Sequence, residues 1–129
     1  MSANFSGLQL WAVAGRVRGI ANELNTKFKT MFSHVVIFWT DPNKPRAADE
    51  LIAAAQKHLK VPPGIVHFHV GKMVPSHRPV VDQSYQVALN IVFADKQAQD
   101  NYQAHPSHLE FVEKAFKPNC VKCVVYDFA

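Results

Sequence analysis

Four short β-type runs, separated by two stretches of helical periodicity, leave this chain very few folds to adopt. Residues 34–40, HVVIFWT, are apolar at every second position and again in between, the composition of a strand covered on both faces. Residues 64–73, GIVHFHVGKM, alternate, with Val66, Phe68 and Val70 on one side and Ile65, His67 and His69 on the other. Residues 84–93, SYQVALNIVF, place Tyr85, Val87, Leu89, Ile91 and Phe93 on one face, while Gln86, Ala88, Asn90 and Val92 on the other are too mixed for solvent alone. CVKCVVYDF, residues 120–128, supplies a fourth strand.

Between the first two strands, DPNKP makes a turn, and residues 46–59 continue at helical spacing with Ala48, Leu51, Ile52, Ala55 and Leu59 on one face. Lys57, His58 and Lys60 suit a helix C-terminus, and PPG ends the helix. VPSHRPVVDQ, residues 74–83, has two prolines and no periodicity, and reads as a long loop. After the third strand, Asp95 caps a helix that runs through Tyr102, and a second helix reaches about Lys117. The order β-α-β-β-α-β predicts an α+β, ferredoxin-like unit whose helices cover one face of an antiparallel sheet. Ala88, Val92, Val124 and Tyr126 on the other face call for a partner, and a second copy related by a two-fold axis provides one. A homodimer is therefore expected.

Residues 1–31 differ from the rest of the chain. Leu10, Ala14, Val17, Ala21, Leu24 and Phe28 form one helical stripe, with Arg16, Arg18 and Lys27 on the polar side. Charge does not precede an apolar run ending in small residues, so the order of a secretory signal is missing. The expected organisation is an amphipathic helical extension over 1–31 and a domain over 32–129.

At 129 residues, with 48% apolar and 19% charged residues, the chain has the material for a single packed core. No run approaches the roughly 18 apolar residues that span a membrane. The net charge of +4 invites a nucleic-acid reading. Four of the basic residues, against Glu23 alone, fall within residues 1–30, however, which leaves the body of the protein almost neutral and argues against nucleic acid. Cys120 and Cys123 run into an apolar β-type stretch rather than a helix N-terminus. Residues three apart on a regular strand point to opposite faces, so two buried free thiols in a reducing, cytoplasmic compartment are expected rather than a redox pair. A single CxxC also supplies only half of a zinc site.

Tyr102, His105, Pro106, His108 and Phe111 spell Y-x-x-H-P-x-H-x-x-F after the third strand. Together with the opening HVVIFWT, this resembles the stress-responsive A/B barrel (Dabb) domain family, over residues 32–129. The resemblance implies a dimeric α+β barrel made from two ferredoxin-like sheets. It does not imply one activity, because members include stress proteins without assigned chemistry. One plant member cyclises a linear polyketide by an intramolecular aldol reaction, with the signature tyrosine and second histidine as its catalytic pair. The matching positions are Tyr102 and His108, and a histidine that lines the pocket from the start of the first strand matches His34. A further pocket histidine falls at about Val87, where this chain departs from the pattern.

Pro106 disfavours helical geometry at His105 and suits the first position of a new helix, whose first turn then holds His108. His108, Val112 and Ala115 would share one face, and Glu110, Glu113 and Lys117 the outer one. A helix N-terminus and apolar surroundings both favour neutral imidazole, which can act as a base near pH 7, and a tyrosine hydroxyl can polarise a carbonyl. No metal or cofactor is needed for that chemistry. The plainer alternative has His105 capping the helix while Tyr102 and His108 satisfy each other inside a solid core. His67 and His69 share a strand face and could chelate, yet no local carboxylate or thiol completes a metal site. His58 and His77 call for no role. The expectation is a cytoplasmic homodimer with a pocket for a small hydrophobic molecule, lined by His34, Phe38, Tyr102, His105 and His108, or with a part in stress response. The alternatives are a cofactor-independent cyclase using Tyr102 and His108, which requires an open cavity there, and a monooxygenase of the same barrel superfamily.

Overall fold

The computed structural model describes residues 30–129. The amphipathic helix expected over 1–31 lies, but for its last two positions, outside them. The described chain runs β1 (Phe32–Thr40), α1 (Ala47–His58), β2 (Ile65–Lys72), β3 (Val87–Phe93), α2 (Lys96–Ala104) and α3 (Pro106–Phe111). A π-helical turn (Val112–Phe116), one further helical turn (Lys117–Asn119) and β4 (Cys120–Phe128) complete it. The sheet is antiparallel throughout with strand order β2-β3-β1-β4, the ferredoxin-like arrangement.

Cross-strand register sorts the side chains into two faces. Phe68, Ile91, His34 and Asp127 stand in one row on the helix side, and Val70, Leu89, Val36 and Val125 in the next. Leu51 and Ala55 of α1, Leu59 just after it, and Tyr102, Phe111 and Ala115 beyond β3 pack onto these rows as one core. On the opposite face, His69, Asn90, Val35 and Tyr126 form a row, as do Gly71, Ala88, Ile37 and Val124. None of the described helices covers that face, and Tyr126 is 59% and Phe128 60% exposed. Among the described residues no helix is long and apolar enough to cross a membrane.

Two bulges alter the simple alternation. The β2–β3 register passes from Ile65 to His67, so Val66 is the extra residue; it turns outward while Ile65 packs on the core, the reverse of the alternation expected at that end. Likewise the β1–β4 register steps from Lys122 to Cys120, making Val121 the extra residue. Cys120 and Cys123 therefore share the helix side rather than opposite faces. Cys120 is half-buried against the core, and Cys123, expected to be buried, is exposed because β4 is an edge strand. Both are free thiols, and burial pushes the Cys120 thiol up to about 11, with Cys123 adding to the effect.

The third strand begins at Val87 rather than at residue 84, and the residues before it bond through their side chains to the end of β1. Gln86 Oε1 accepts from the Thr40 amide at 2.8 Å, and the Trp39 indole donates to Ser84 Oγ at 3.1 Å. Asp95 caps α2 by accepting from the Ala98 amide at 2.8 Å. Gly64, just after the prolines that end α1, has φ +90° and lies so close to α2 that a Cβ there would sit 2.6 Å from the Ala98 Cβ. Gly64→Ala is expected to destabilise the domain by about 1–3 kcal/mol through backbone strain, with the clash in addition. Urea unfolding measures the loss, and an unchanged midpoint would contradict this packing.

Candidate functional site

The corner between α2 and α3 is built by His105 and Pro106. His105 has extended backbone (φ −69°, ψ 137°), its Nδ1 accepts from the Ser107 amide at 3.1 Å, and Pro106 occupies the first helical position. Ser107 Oγ donates to the His58 carbonyl at 2.5 Å and so ties the corner to the end of α1. Tyr102, on the last turn of α2, and His108, on the first turn of α3, thus come together with ring centroids 4.7 Å apart. His34 of β1 meets the other side of Tyr102 edge-on at 5.7 Å, and Phe93 packs against it at 5.0 Å.

These rings stand beside a cavity of about 410 Å³ between the sheet and the helices. Its walls come from β1 (His34, Val36, Phe38), β4 (Cys123, Val125, Asp127), α2 (Gln99, Tyr102, Gln103) and the helical segment after the corner (His108, Phe111, Val112, Phe116), with Leu59 and Leu89 between. That size falls within the range of about 300–1,000 Å³ typical of small-molecule sites. Of the expected pocket residues, His34, Phe38, Tyr102 and His108 line the cavity. His105 does not: its ring is committed to capping α3, so it shapes the site without facing it. Val87 is wholly buried in the core and paired to Phe38.

His34 Nδ1 lies 2.6 Å from Asp127 Oδ1 across the β1–β4 pairing. An ionised carboxylate only accepts, so in neutral His34 the proton sits on Nδ1 and Nε2 is left as an acceptor. Asp127 was outside the expected set, since the strand register alone brings it beside His34. Gln99 and Gln103, one turn apart on α2 and joined at 3.0 Å, add polar groups to the wall; Gln99, three residues before Tyr102, has a helical-spacing signal, and Gln103, adjacent to Tyr102, has none.

Burial lowers the His108 pKa below its usual 6.5; the Gln103 backbone partly offsets this and the nearby His34 adds to it. His108 Nδ1 is the one buried side-chain nitrogen or oxygen among the described residues without a hydrogen-bond partner. Burial also drives the Tyr102 phenol far above its usual 10, which keeps it a neutral donor. The site therefore pairs a neutral base with a neutral hydroxyl donor at the polar end of an otherwise apolar cavity. Among the described residues no three His, Cys, Asp or Glu side chains are grouped to hold a metal ion.

Fold and site together define a ferredoxin-like α+β domain with a histidine- and tyrosine-lined cavity. The chain belongs to the stress-responsive A/B barrel domain family, whose model matches residues 32–129. A Dabb-family protein of ferredoxin-like fold from Mesorhizobium loti is 26% identical (TM-score 0.62), covering 77% of this chain and 95% of its own. A dimeric ferredoxin-like protein of unknown function from Thermobifida fusca is 20% identical (TM-score 0.65; 79% and 93% covered). The hydroxynitrile lyase of Passiflora edulis is 22% identical (TM-score 0.61; 76% and 91% covered). The last two likenesses are of fold. No curated protein matches in sequence.

Because folded His108 resists protonation, the unfolded chain takes up more protons as the pH falls below about 6.5, and the stability present above that pH is progressively lost. Thermal unfolding from pH 7.5 to 5 is expected to show a falling Tm, with a shallower fall in His108→Phe. Equal slopes would contradict a disfavoured imidazolium.

Proposed function

We propose that this chain is a homodimeric binding protein whose cavity takes a small, mainly apolar molecule with one polar oxygen directed at Tyr102 and His108. The observation that carries the reading is the cavity itself: the space beside those side chains is open rather than filled with core. Apolar walls supply affinity in proportion to buried area, and the few polar groups fix orientation. The Tyr102 hydroxyl is the group that meets the ligand oxygen, and the His108 ring, 4.7 Å from the Tyr102 ring, adds a polar edge to the same end of the cavity. A contribution to stress tolerance agrees with the family to which the chain belongs. The free thiols fit a reducing compartment, and the cytoplasm is the location this reading gives the chain.

Dimerisation rests on the half-apolar outer face of the sheet, where Val35, Ile37, Ala88, Val124 and Tyr126 meet none of the described helices, and on the dimeric neighbour from Thermobifida fusca. Packing two such faces together makes the barrel. Sedimentation at micromolar concentration is expected to give a dimer, and Val124→Asp or Tyr126→Asp a monomer. A monomeric native chain would refute it.

Binding is tested by calorimetry with 2-alkanones, which offer one carbonyl oxygen on an aliphatic tail. Tyr102→Phe is expected to weaken binding about 2–12-fold, the worth of one hydrogen bond at ~0.5–1.5 kcal/mol. Absence of binding to the native chain would overturn the reading.

A second reading comes from the paired His108 and Tyr102 rings on the cavity wall: a cofactor-independent aldol cyclase. Neutral His108 would take a proton from the carbon between two carbonyls, while the Tyr102 hydroxyl donates to the enolate oxygen. The enolate carbon bonds to a second carbonyl of the same chain, and the imidazolium returns its proton to the resulting alkoxide. A linear poly-β-ketone ester is the test substrate. Cyclised product that falls by a factor of about 10²–10⁴ in His108→Gln supports this reading, and no product above the uncatalysed background removes it.

A further inference from the structure

The helical segment after the corner does not run as one α-helix. Residues Val112–Phe116 form a π-helical turn in which the Lys117 amide donates to the Val112 carbonyl, five residues back. Phe111 and Phe116 are five apart, and at about 100° per residue an α-helix would turn them roughly 140° away from each other. The π turn brings them back to one side. Both rings meet Phe38 of β1, with centroids 6.4 and 6.0 Å away.

The segment is held at both ends. Ser107 Oγ fixes its start to the His58 carbonyl. At its finish, the buried Asn119 amide donates to the Ala115 carbonyl at 3.0 Å, and the Asn119 carbonyl accepts from the Asp41 amide at 2.8 Å. A surplus residue between such anchors has no free end to slip toward, so the helix widens instead. Phe38 lies four residues along β1 from His34, about 13 Å for an extended strand. The cavity thus has a polar end at His34, Tyr102 and His108, and an apolar end where three phenylalanines converge.

We propose that the π-helical turn closes the apolar end of the cavity with an aromatic stop, Phe116 set beside Phe111 on Phe38, and that this stop fixes the length of tail the site accepts. The ligand class is then a neutral carbonyl compound with an unbranched aliphatic tail, which rests on the proposed binding function. π turns inside α-helices are rare and occur frequently at functional sites, and here the turn is what carries Phe116 onto the cavity wall.

The test is a chain-length series from 2-hexanone to 2-tridecanone, titrated into the native full chain and its variants. In the native protein affinity rises roughly fourfold per added methylene until the tail meets Phe116, then levels off. Phe116→Ala moves that plateau at least two carbons longer, and Phe116→Trp at least one carbon shorter. Lys114→Ala, on the exposed side of the same turn, leaves it unchanged. Should Phe116→Ala not fold, Phe116→Leu takes its place and lengthens the plateau by at least one carbon. A plateau at the same length in native and Phe116 variants would overturn the stop while leaving the binding reading intact. Failure of every 2-alkanone to bind the native chain would overturn both.

Discussion

The break in the backbone at His105–Pro106 is the constraint on which the site depends. Proline has no amide hydrogen to continue α2, and its ring forces the preceding residue out of helical geometry. His105 then closes the start of α3 with its own ring nitrogen. A continuous helix would place Tyr102 and His108 six residues apart, roughly 120° from one face at about 100° per residue, and so aim them at different neighbours. The corner lets them meet at 4.7 Å above the sheet. One bond from Ser107 to the end of α1 holds the corner at a fixed height, and the space left beneath it is the cavity.

The sheet contributes through its register. Pairing β1 with β4 sets Asp127 beside His34, Val125 beside Val36 and Cys123 beside Phe38, so an edge strand with many exposed residues still furnishes one wall of the site. The same pairing orients the His34 ring through a carboxylate at 2.6 Å. On the reverse side the alternate residues of these strands build the surface proposed to meet the second copy. Thus one set of strand pairings serves both the cavity and the proposed assembly, and a slip of a single residue would exchange the two faces.

Much of this was legible from residue order. Apolar runs and a helical stripe mark the four strands and α1, Asp95 marks the start of α2, and the His-Pro pair marks a corner, while the start of β3 and the division of the helical segment after the corner leave no mark. His34, Phe38, Tyr102 and His108, singled out by pattern and resemblance, line one cavity. What escaped were features that depend on counting one residue too many. The bulge at Val66 reversed the faces of the first residues of β2, the bulge at Val121 brought Cys120 and Cys123 to one side, and the π turn carried Phe116 to the cavity. Each is a local insertion tolerated because tertiary packing fixes the elements on either side, and periodicity over a short window carries no trace of it. Asp127 escaped for a different reason: its role comes from a partner 93 positions away in the chain. His105 was placed in the pocket because its capping bond and a pocket contact look alike in sequence.

The polar end of the proposed site turns on His108 being neutral, with its Nδ1 buried and unbonded. Its ring nitrogens can be followed directly by 15N NMR as the pH is varied in the native protein. The expected titration midpoint lies below 6.5, the usual value for an exposed histidine, with a neutral ring at pH 7. A midpoint at or above 6.5 would show an imidazole stabilised in its charged form, and would contradict this picture of the site.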